Sequence, residues 1–228
     1  MKFGIIVAAR TGSKRLPGKA LMPILGTPVI SLIVRRLKTS KRVSKIIFAT
    51  TVLPEDDELT ETVQREGVDV FRGSESDVLS RYVNAALPYD FDFVVRITGD
   101  CPFVDGTTLD HILEQCLKFP SFDLVTTKPA YPHGIDYEVY PKKLLEEING
   151  LHLTKEEREH HLNYIYRNEK KFKIHRLIPP AELTLKDTIF LLDTPEDYAM
   201  MTAMLKGLND IFISPVELIK KYLHANYI

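Results

Sequence analysis

Short apolar runs alternate along the chain with longer stretches in which apolar residues recur at helical spacing. This alternation predicts an α/β domain with a central, mostly parallel sheet flanked by helices. The predicted strands cover residues 3–8, 45–49, 68–71, 93–97, 123–126, 136–140, 172–177 and 188–192. The predicted helices cover residues 27–38, 56–66, 77–87, 108–118 and 154–168, and a last long helix begins at Thr194.

No linker, internal repeat or low-complexity segment divides the chain, so residues 1–228 are interpreted as one domain. The run KPAYPHG at residues 128–134 contains too many turn residues to be regular. We therefore expect a small hairpin or lid insertion near residues 128–140.

The charges are distributed unevenly, although the net charge is only −1. The first acidic residue is Glu55, and the 54 residues before it contain 11 Lys and Arg. A basic end of this kind indicates phosphate binding. The near-neutral total argues against non-specific nucleic-acid binding. The sequence contains no run of about 18 apolar residues, so it predicts no membrane span. Its two cysteines, Cys101 and Cys116, favour a location in the reducing cytoplasm.

The first predicted strand leads directly into the run AARTGSKRLPGK at residues 8–19. Its glycines let backbone N–H groups approach an anion, and Arg10, Lys14, Arg15 and Lys19 supply positive charge. The run matches neither the Walker pattern nor GxGxxG. A solvated surface loop is the alternative. The position at the carboxyl end of a buried strand favours phosphate binding.

Two aspartates follow predicted strands in the same way. Asp100 comes after the strand at 93–97, where a carboxylate can hold Mg²⁺ together with substrate phosphates. The alternative, that Asp100 caps the next helix, is weakened because Asp105 or Thr107 can do so. Asp193 ends the predicted strand at 188–192 and could converge with Asp100 as a second metal ligand.

Two further groups leave their roles open. Asp136 and Glu138 alternate along a predicted strand, so they share a face that either binds sugar hydroxyls or contacts water. Arg158 and His161 lie three positions apart on a predicted helix. They could bind an anion, face another subunit or belong to an ordinary surface helix, whereas zinc lacks a third ligand at a suitable spacing.

The segments AARTGSKRLPGK, RITGDCP, HGIDYEVY, REHHLNYIY and LLDTPED occur in an order that resembles the SpsF-type cytidylyltransferases of the spore-coat polysaccharide group. These are relatives of the CMP-sialic acid and CMP-KDO synthetases. The resemblance covers nearly the whole chain. It implies a glycosyltransferase-A-like (Rossmann-like) fold that couples CTP to a sugar or sugar acid with Mg²⁺ and releases pyrophosphate, for surface polysaccharide biosynthesis. It also implies a cytoplasmic homodimer.

The resemblance further implies roles for single residues. Catalysis falls to Arg10, Lys19 and Asp100, and metal binding to Asp100 and Asp193. The nucleotide-binding residues are Ala8, Ala9, Arg10, Gly12, Ser13, Arg15, Lys19, Ser74 and Arg96. The acceptor-binding residues are His133, Asp136, Glu138, Arg158 and His160, in an acceptor-binding and dimerisation insertion at about residues 128–165.

Two other functions are alternatives to this interpretation. A glycosyltransferase with a nucleotide-sugar donor commonly carries Asp-x-Asp after a strand, whereas Asp90 and Asp92 precede theirs. A non-catalytic nucleotide-binding partner would be favoured by the loss of Asp100 or Lys19, and both residues are present.

Overall fold

Strand β1 (Phe3–Ala8) lies inside the sheet and pairs in parallel with β4 (Val43–Thr51) on one side and β6 (Phe93–Thr98) on the other. This computed structural model describes residues 1–184, 189–206 and 210–226. Ile5, Ile6 and Val7 are fully buried. Burial on both faces explains why β1 is an unbroken apolar run rather than an alternating one.

Within these described residues, seven strands form the sheet, in the order β5-β4-β1-β6-β8-β7-β9. β5 (Asp69–Gly73) extends the parallel half beyond β4. On the other side, β8 (Glu138–Pro141) runs antiparallel to β6, and β7 (Leu124–Thr126) antiparallel to β8. β9 (Ile174–Arg176) pairs in parallel with β7. The mostly parallel α/β sheet predicted from the sequence is thus confirmed.

Helices cover both faces of the sheet. One face carries α1 (Val29–Leu37), α2 (Asp57–Arg65), α4 (Gly106–Cys116), α8 (Pro195–Leu205) and α9 (Pro215–Asn226). The other carries α3 (Val78–Ala86), α5 (Lys142–Asn149) and α7 (His161–Arg167). α6 (Lys155–Glu159) precedes α7 and buries no residue. Short 3-10 helices occur at Lys19–Leu21, Pro54–Asp56, Glu169–Lys171 and Ala181–Leu183, and a small hairpin pairs β2 (Pro23–Ile24) with β3 (Thr27–Pro28).

The prediction of one helix over residues 154–168 was wrong in its middle. The capping box of Thr154 and Glu157 starts α6 as the sequence indicates, but His160 leaves the helical region with φ −122° and ψ 64°. This break turns His161 into the core, where it is 1% exposed. Burial of one side chain therefore outweighs the continuous helical pattern.

Other elements also differ from the prediction. The sequence interpretation missed α5 and α9. The predicted strand at 188–192 begins at Thr188, which lies outside the described residues. Over the described residues 189–193, Ile189 forms an isolated bridge with His133 and no strand is present. None of the helices in the described part of the chain has the length and apolar character needed to cross a lipid bilayer.

The predicted hairpin is the antiparallel pair of β7 and β8. Its connection is packed rather than open, because Tyr131, Ile135 and Tyr137 are all buried. The Tyr137 hydroxyl accepts from Asp105 N at 2.8 Å and donates to Asp105 O at 3.0 Å. These contacts fix the connection against the start of α4.

Candidate functional site

A cavity of about 390 Å³ opens where β1 and β6 end, because the paired residues Ala8 and Thr98 are the last of their strands. Its walls come from the loop after β1, the turn after β6, the first turn of α3, the end of α6 and Asp193, which lies two residues before α8. The lining residues are Ala8, Ala9, Arg10, Gly12, Ser13, Lys14, Arg15, Lys19, Ala20, Val78, Arg81, Tyr82, Arg96, Thr98, Gly99, Asp100, Glu159, His160 and Asp193.

Backbone bonds and one buried anchor hold the loop after β1, residues 9–18, in shape. Ser13 N and Gly18 N both donate to Thr11 O, at 2.8 and 3.0 Å. Leu16 is 8% exposed and packs into the core. Ordered backbone beside several cations is the arrangement that binds phosphate oxygens.

Asp56 supports this loop from beneath and was not identified from the sequence. Its buried carboxylate accepts from Thr11 N and Thr11 Oγ1, both at 2.7 Å, from Thr50 Oγ1 at 2.8 Å and from Thr51 N at 3.1 Å. Burial acts to raise the pKa of Asp56, but the hydrogen bonds from Thr51, Thr11 and Thr50 outweigh it and lower the pKa. The loop is therefore tied to the end of β4.

The turn after β6 approaches the loop closely because residue 99 is glycine. A Cβ there would lie 2.4 Å from the Ala9 Cβ, and Gly99 N donates to Ala8 O at 2.8 Å. This contact places Asp100 beside the basic loop.

A second close approach brings Asp193 to the same place. Leu192 N donates to Asp100 O at 2.8 Å, and Phe190 N donates to His133 O at 2.6 Å. Gly134, with φ 93°, allows this docking, since a Cβ there would lie 2.4 Å from the Phe190 carbonyl. Residues 189–193 are thus held by backbone contacts, without a strand.

Lys19 lies between the two aspartates. Its Nζ is 3.0 Å from Asp100 Oδ2 and 3.2 Å from Asp193 Oδ1, and Arg15 also pairs with Asp193. Burial acts to raise the pKa of Asp100, but the charge of Lys19 and a hydrogen bond from Thr98 hold it below its ordinary value. The structure therefore brings together Asp100 and Asp193, which the sequence predicts to converge, and places Lys19 between them.

These two carboxylates fit a magnesium ion. They present oxygen ligands around the position of a cation, which the Lys19 ammonium occupies here. Within the described ranges, no group of three or more His, Cys, Asp or Glu side chains could hold a metal. A protein that offers only two carboxylates suits Mg²⁺, which takes its other ligands from water and substrate phosphates.

Arg10 reaches across the cavity towards α6. Its guanidinium contacts Glu75 O at 3.3 Å, Glu75 Oε1 at 3.4 Å and Glu159 Oε1 at 3.5 Å. These bonds are long, so a substrate phosphate could replace them. Arg10 therefore connects the basic loop with the wall that carries Glu159 and His160.

Arg96 lines the cavity, and its charge is balanced by the carboxylate of Glu138, which does not line the cavity. Its Nη1 donates to Glu138 Oε2 at 2.7 Å, and the Tyr166 hydroxyl donates to Glu138 Oε1 at 2.7 Å. Burial acts to raise the pKa of Glu138, whereas the charges of Arg96 and Lys128 lower it below its ordinary value. Glu138 is thus a buried counterion.

Five of the predicted site residues do not line the cavity. Asp136 accepts from Gly134 N at 2.8 Å and pairs with Lys128 at 2.9 Å, and Glu138 pairs with Arg96. The Arg158 Nε donates to Asp77 Oδ2 at 2.7 Å and holds α6 to the start of α3. Ser74 Oγ accepts from Asp77 N, and His133 contacts residues 189 and 190 through its backbone.

Besides Asp56, which supports the loop from beneath, sequence reasoning missed several residues that line the cavity. Val78, Arg81 and Tyr82 on α3 lie at positions i, i+3 and i+4, which share one helix face. That spacing was the available signal, but it equally describes a core-facing stripe. Glu159 also lines the cavity and was not predicted. Its neighbour His160 was predicted as a site residue, and it lines the cavity.

Comparison with known proteins shows the family to which this chain belongs. Residues 4–227 match the family model described as Cytidylyltransferase. Over 204 residues the chain is 31% identical to the spore coat polysaccharide biosynthesis protein SpsF of Bacillus subtilis, covering 87% of this chain and 84% of that protein. The structure of a cytidylyltransferase from Leptospira borgpetersenii has a TM-score of 0.93 at 33% identity, covering 100% of this chain and 96% of that one. A CMP:2-keto-3-deoxy-manno-octonic acid synthetase complexed with CTP shares the fold, with a TM-score of 0.68 at 19% identity over 90% of this chain and 98% of that one.

Proposed function

Since the chain belongs to the cytidylyltransferase family, is of the SpsF type and is a CTP-dependent nucleotidyltransferase, we propose that it joins the CMP part of CTP to a sugar or sugar acid and releases pyrophosphate. The product serves surface polysaccharide biosynthesis. The polysaccharide role is supported by the name of the SpsF relative, and the sugar-acid class by the name of the octonic acid synthetase.

The observation that carries this proposal is the position of Lys19 between Asp100 and Asp193, at the end of the basic loop. An acceptor hydroxyl oxygen attacks the α-phosphorus of CTP, and its proton passes to solvent. The bond from the α-phosphorus to the bridging oxygen breaks, and pyrophosphate leaves with the electron pair. Negative charge therefore grows on the leaving group, where Lys19, Arg15 and the loop N–H groups can stabilise it.

Magnesium held by Asp100 and Asp193 would neutralise phosphate oxygens that otherwise repel the attacking hydroxyl. The nucleotide contacts fall to Ala8, Ala9, Arg10, Gly12, Ser13, Arg15, Lys19 and Arg96, which all line the cavity. His160 lines the wall opposite the loop and is proposed to contact the acceptor. Asp136, Glu138 and Arg158 would act on the acceptor only through the residues that they hold in place.

The test is pyrophosphate release with each of the four ribonucleoside triphosphates, in the presence of Mg²⁺ and a panel of sugars and sugar acids. We expect release only with CTP and a suitable acceptor, and none from the Asp100→Asn variant. A glycosyltransferase would instead consume a nucleotide-sugar and leave CTP intact. A non-catalytic partner would bind CTP without any release of pyrophosphate.

The same proposal includes a homodimer that works in the cytoplasm, with the region of residues 128–165 at the acceptor site and the subunit interface. Light scattering of the purified protein measures the mass directly. A mass of twice 26.1 kDa is expected, and a monomer would remove the dimer from the proposal without touching the chemistry.

A further inference from the structure

Arg81 presents a buried guanidinium to the cavity and has few partners of its own. It lies on α3, is 4% exposed, and its Nη1 donates to Ser74 O at 2.9 Å. Its Nε has no hydrogen-bond partner, and among the residues that the structure describes its Nη2 has none either. The charge is therefore held in place by one backbone carbonyl and faces the space that a substrate would fill.

Four of the five other Lys and Arg side chains that line this cavity contact carboxylates, and the fifth, Lys14, is exposed. Arg10 lies near Glu75 and Glu159, Arg15 pairs with Asp193, Lys19 lies between two aspartates, and Arg96 pairs with Glu138. Arg81 is buried and, over the described ranges, has no such pair. Burial and the nearby charge of Arg10 lower the pKa of Arg81, whereas the charges of Asp56 and Glu75 oppose this shift, and a guanidinium stays protonated in proteins. Among the described residues no carboxylate forms a hydrogen bond with Arg81, so its buried and unpartnered Nε–H group is unfavourable until a ligand supplies an acceptor.

The position of Arg81 in the fold indicates which part of the substrate it meets. α3 follows β5, the edge strand of the parallel half, whereas Asp100 follows β6 on the other side of β1. The basic loop after β1 lies between them. A nucleotide whose triphosphate is bound at Lys19 and Arg15 can extend its base past this loop towards α3.

We propose that Arg81 recognises the base of CTP by donating hydrogen bonds to its O2 and N3 atoms, an inference that rests on the proposed function. These two acceptors are adjacent on the cytosine ring and match a guanidinium edge. Uracil carries a hydrogen on N3, which would oppose a permanently protonated arginine. Val78 and Tyr82 supply the apolar surface beside this edge.

The experiment measures dissociation constants of CTP and UTP by calorimetry in the presence of Mg²⁺. It compares the natural protein with the Arg81→Lys and Arg81→Met variants. Lysine keeps the charge but loses the paired N–H groups. The control is Arg35→Met, because Arg35 pairs with Glu66 on the outside of α1 and does not line the cavity.

We expect the natural protein and the Arg35 variant to prefer CTP over UTP. Both Arg81 variants should lose this preference by on the order of 10-fold or more, through weaker CTP binding. Equal weakening of CTP and UTP would assign Arg81 to the phosphates or ribose and overturn the proposal, as would unchanged binding of both. A natural protein that binds CTP and UTP equally would overturn the proposed function, and the role of Arg81 with it.

A measurement on the natural protein applies even where the Arg81 variants do not fold. The probe is 3-deazacytidine triphosphate, in which a C–H group replaces the N3 acceptor. We expect its binding to be on the order of 10-fold weaker than that of CTP. Equal binding of the two nucleotides would show that no donor meets N3 and would overturn the proposal.

Discussion

The Lys19 Nζ joins Asp100 and Asp193 by lying 3.0 Å from one carboxylate and 3.2 Å from the other. All three side chains are largely shielded from solvent, so their interaction is stronger than that of a surface ion pair. The ammonium thus holds together the two carboxylates that fit magnesium. Binding of CTP, whose phosphates attract Lys19, would free these carboxylates, so nucleotide and metal should bind cooperatively.

Replacing Lys19 by methionine is expected to change metal binding and catalysis in opposite directions. Without its ammonium, Asp100 and Asp193 repel each other, so Mn²⁺ as a substitute for Mg²⁺ should bind the free protein about 10-fold more tightly or better. The value of kcat should fall on the order of 100-fold, because charge on the leaving pyrophosphate loses a partner. Electron paramagnetic resonance titration of Mn²⁺ and steady-state kinetics measure the two effects.

The matched control for this experiment is Lys41→Met, which removes a charge at an exposed position away from the cavity. It should leave Mn²⁺ affinity near that of the natural protein. Weaker Mn²⁺ binding in the Lys19 variant would show that Lys19 supports the metal site rather than competing for it.

The two aspartates are expected to act as one unit. Asp100→Asn and Asp193→Asn should each abolish most Mg²⁺-dependent turnover, and the double variant should be little worse than either single one. The measurement is kcat over a range of Mg²⁺ concentrations. Losses that multiply in the double variant would mean that the two residues work independently.

The convergence of Asp100 and Asp193 could be predicted from the sequence because strand ends in a parallel sheet meet at one edge. The manner of convergence could not. The segment before Asp193 is not a strand within the described residues, and it reaches the site through backbone contacts that depend on Gly134. A local apolar pattern predicts strands, but it does not report which distant backbone groups will pair.

The buried polar residues Asp56 and Arg81 escaped prediction for a related reason. In the sequence Asp56 is an acidic residue at a helix start, and Arg81 is one polar position within an amphipathic helix. Their roles come from what folds against them: Thr11 on the loop after β1, and the cavity beyond α3. Such roles depend on three-dimensional contacts that a periodic pattern does not encode.

Asp56→Asn is expected to destabilise the protein by about 1–3 kcal/mol at pH 7, because an amide places a donor among groups that already donate. The lowered pKa of Asp56 sets the pH dependence. A carboxyl whose pKa is lower in the folded than in the unfolded state contributes stability above its ordinary value of 3.8, and this contribution is lost as the pH falls through the folded value. The difference between variant and natural protein should therefore shrink between pH 5 and the lowest pH at which the protein folds.

Urea unfolding at a series of pH values tests this, with Asp57→Asn as the neighbouring control. Asp57 is exposed and pairs with Arg72 at 2.6 Å, so its replacement should cost only about 0–1 kcal/mol. Equal destabilisation by the two substitutions would contradict the role of Asp56. The Asp56 variant should also raise the KM for CTP, since Thr11 loses its support.

His161 is expected to make the folded protein less stable in mild acid. It is buried between Tyr82 and Tyr140, and burial lowers its pKa from 6.5 to about 3. Between these values the unfolded chain binds a proton that the folded chain excludes, so stability falls as the pH drops below 6.5, by at most about 1.4 kcal/mol per pH unit.

The His161→Gln variant lacks this pH-dependent loss of stability, because glutamine does not titrate. Urea unfolding at pH 7 and pH 5 should thus show a smaller loss in the variant, whereas His152→Gln, at an exposed histidine, should lose as much as the natural protein. Equal losses in all three proteins would mean that His161 is protonated in the folded state.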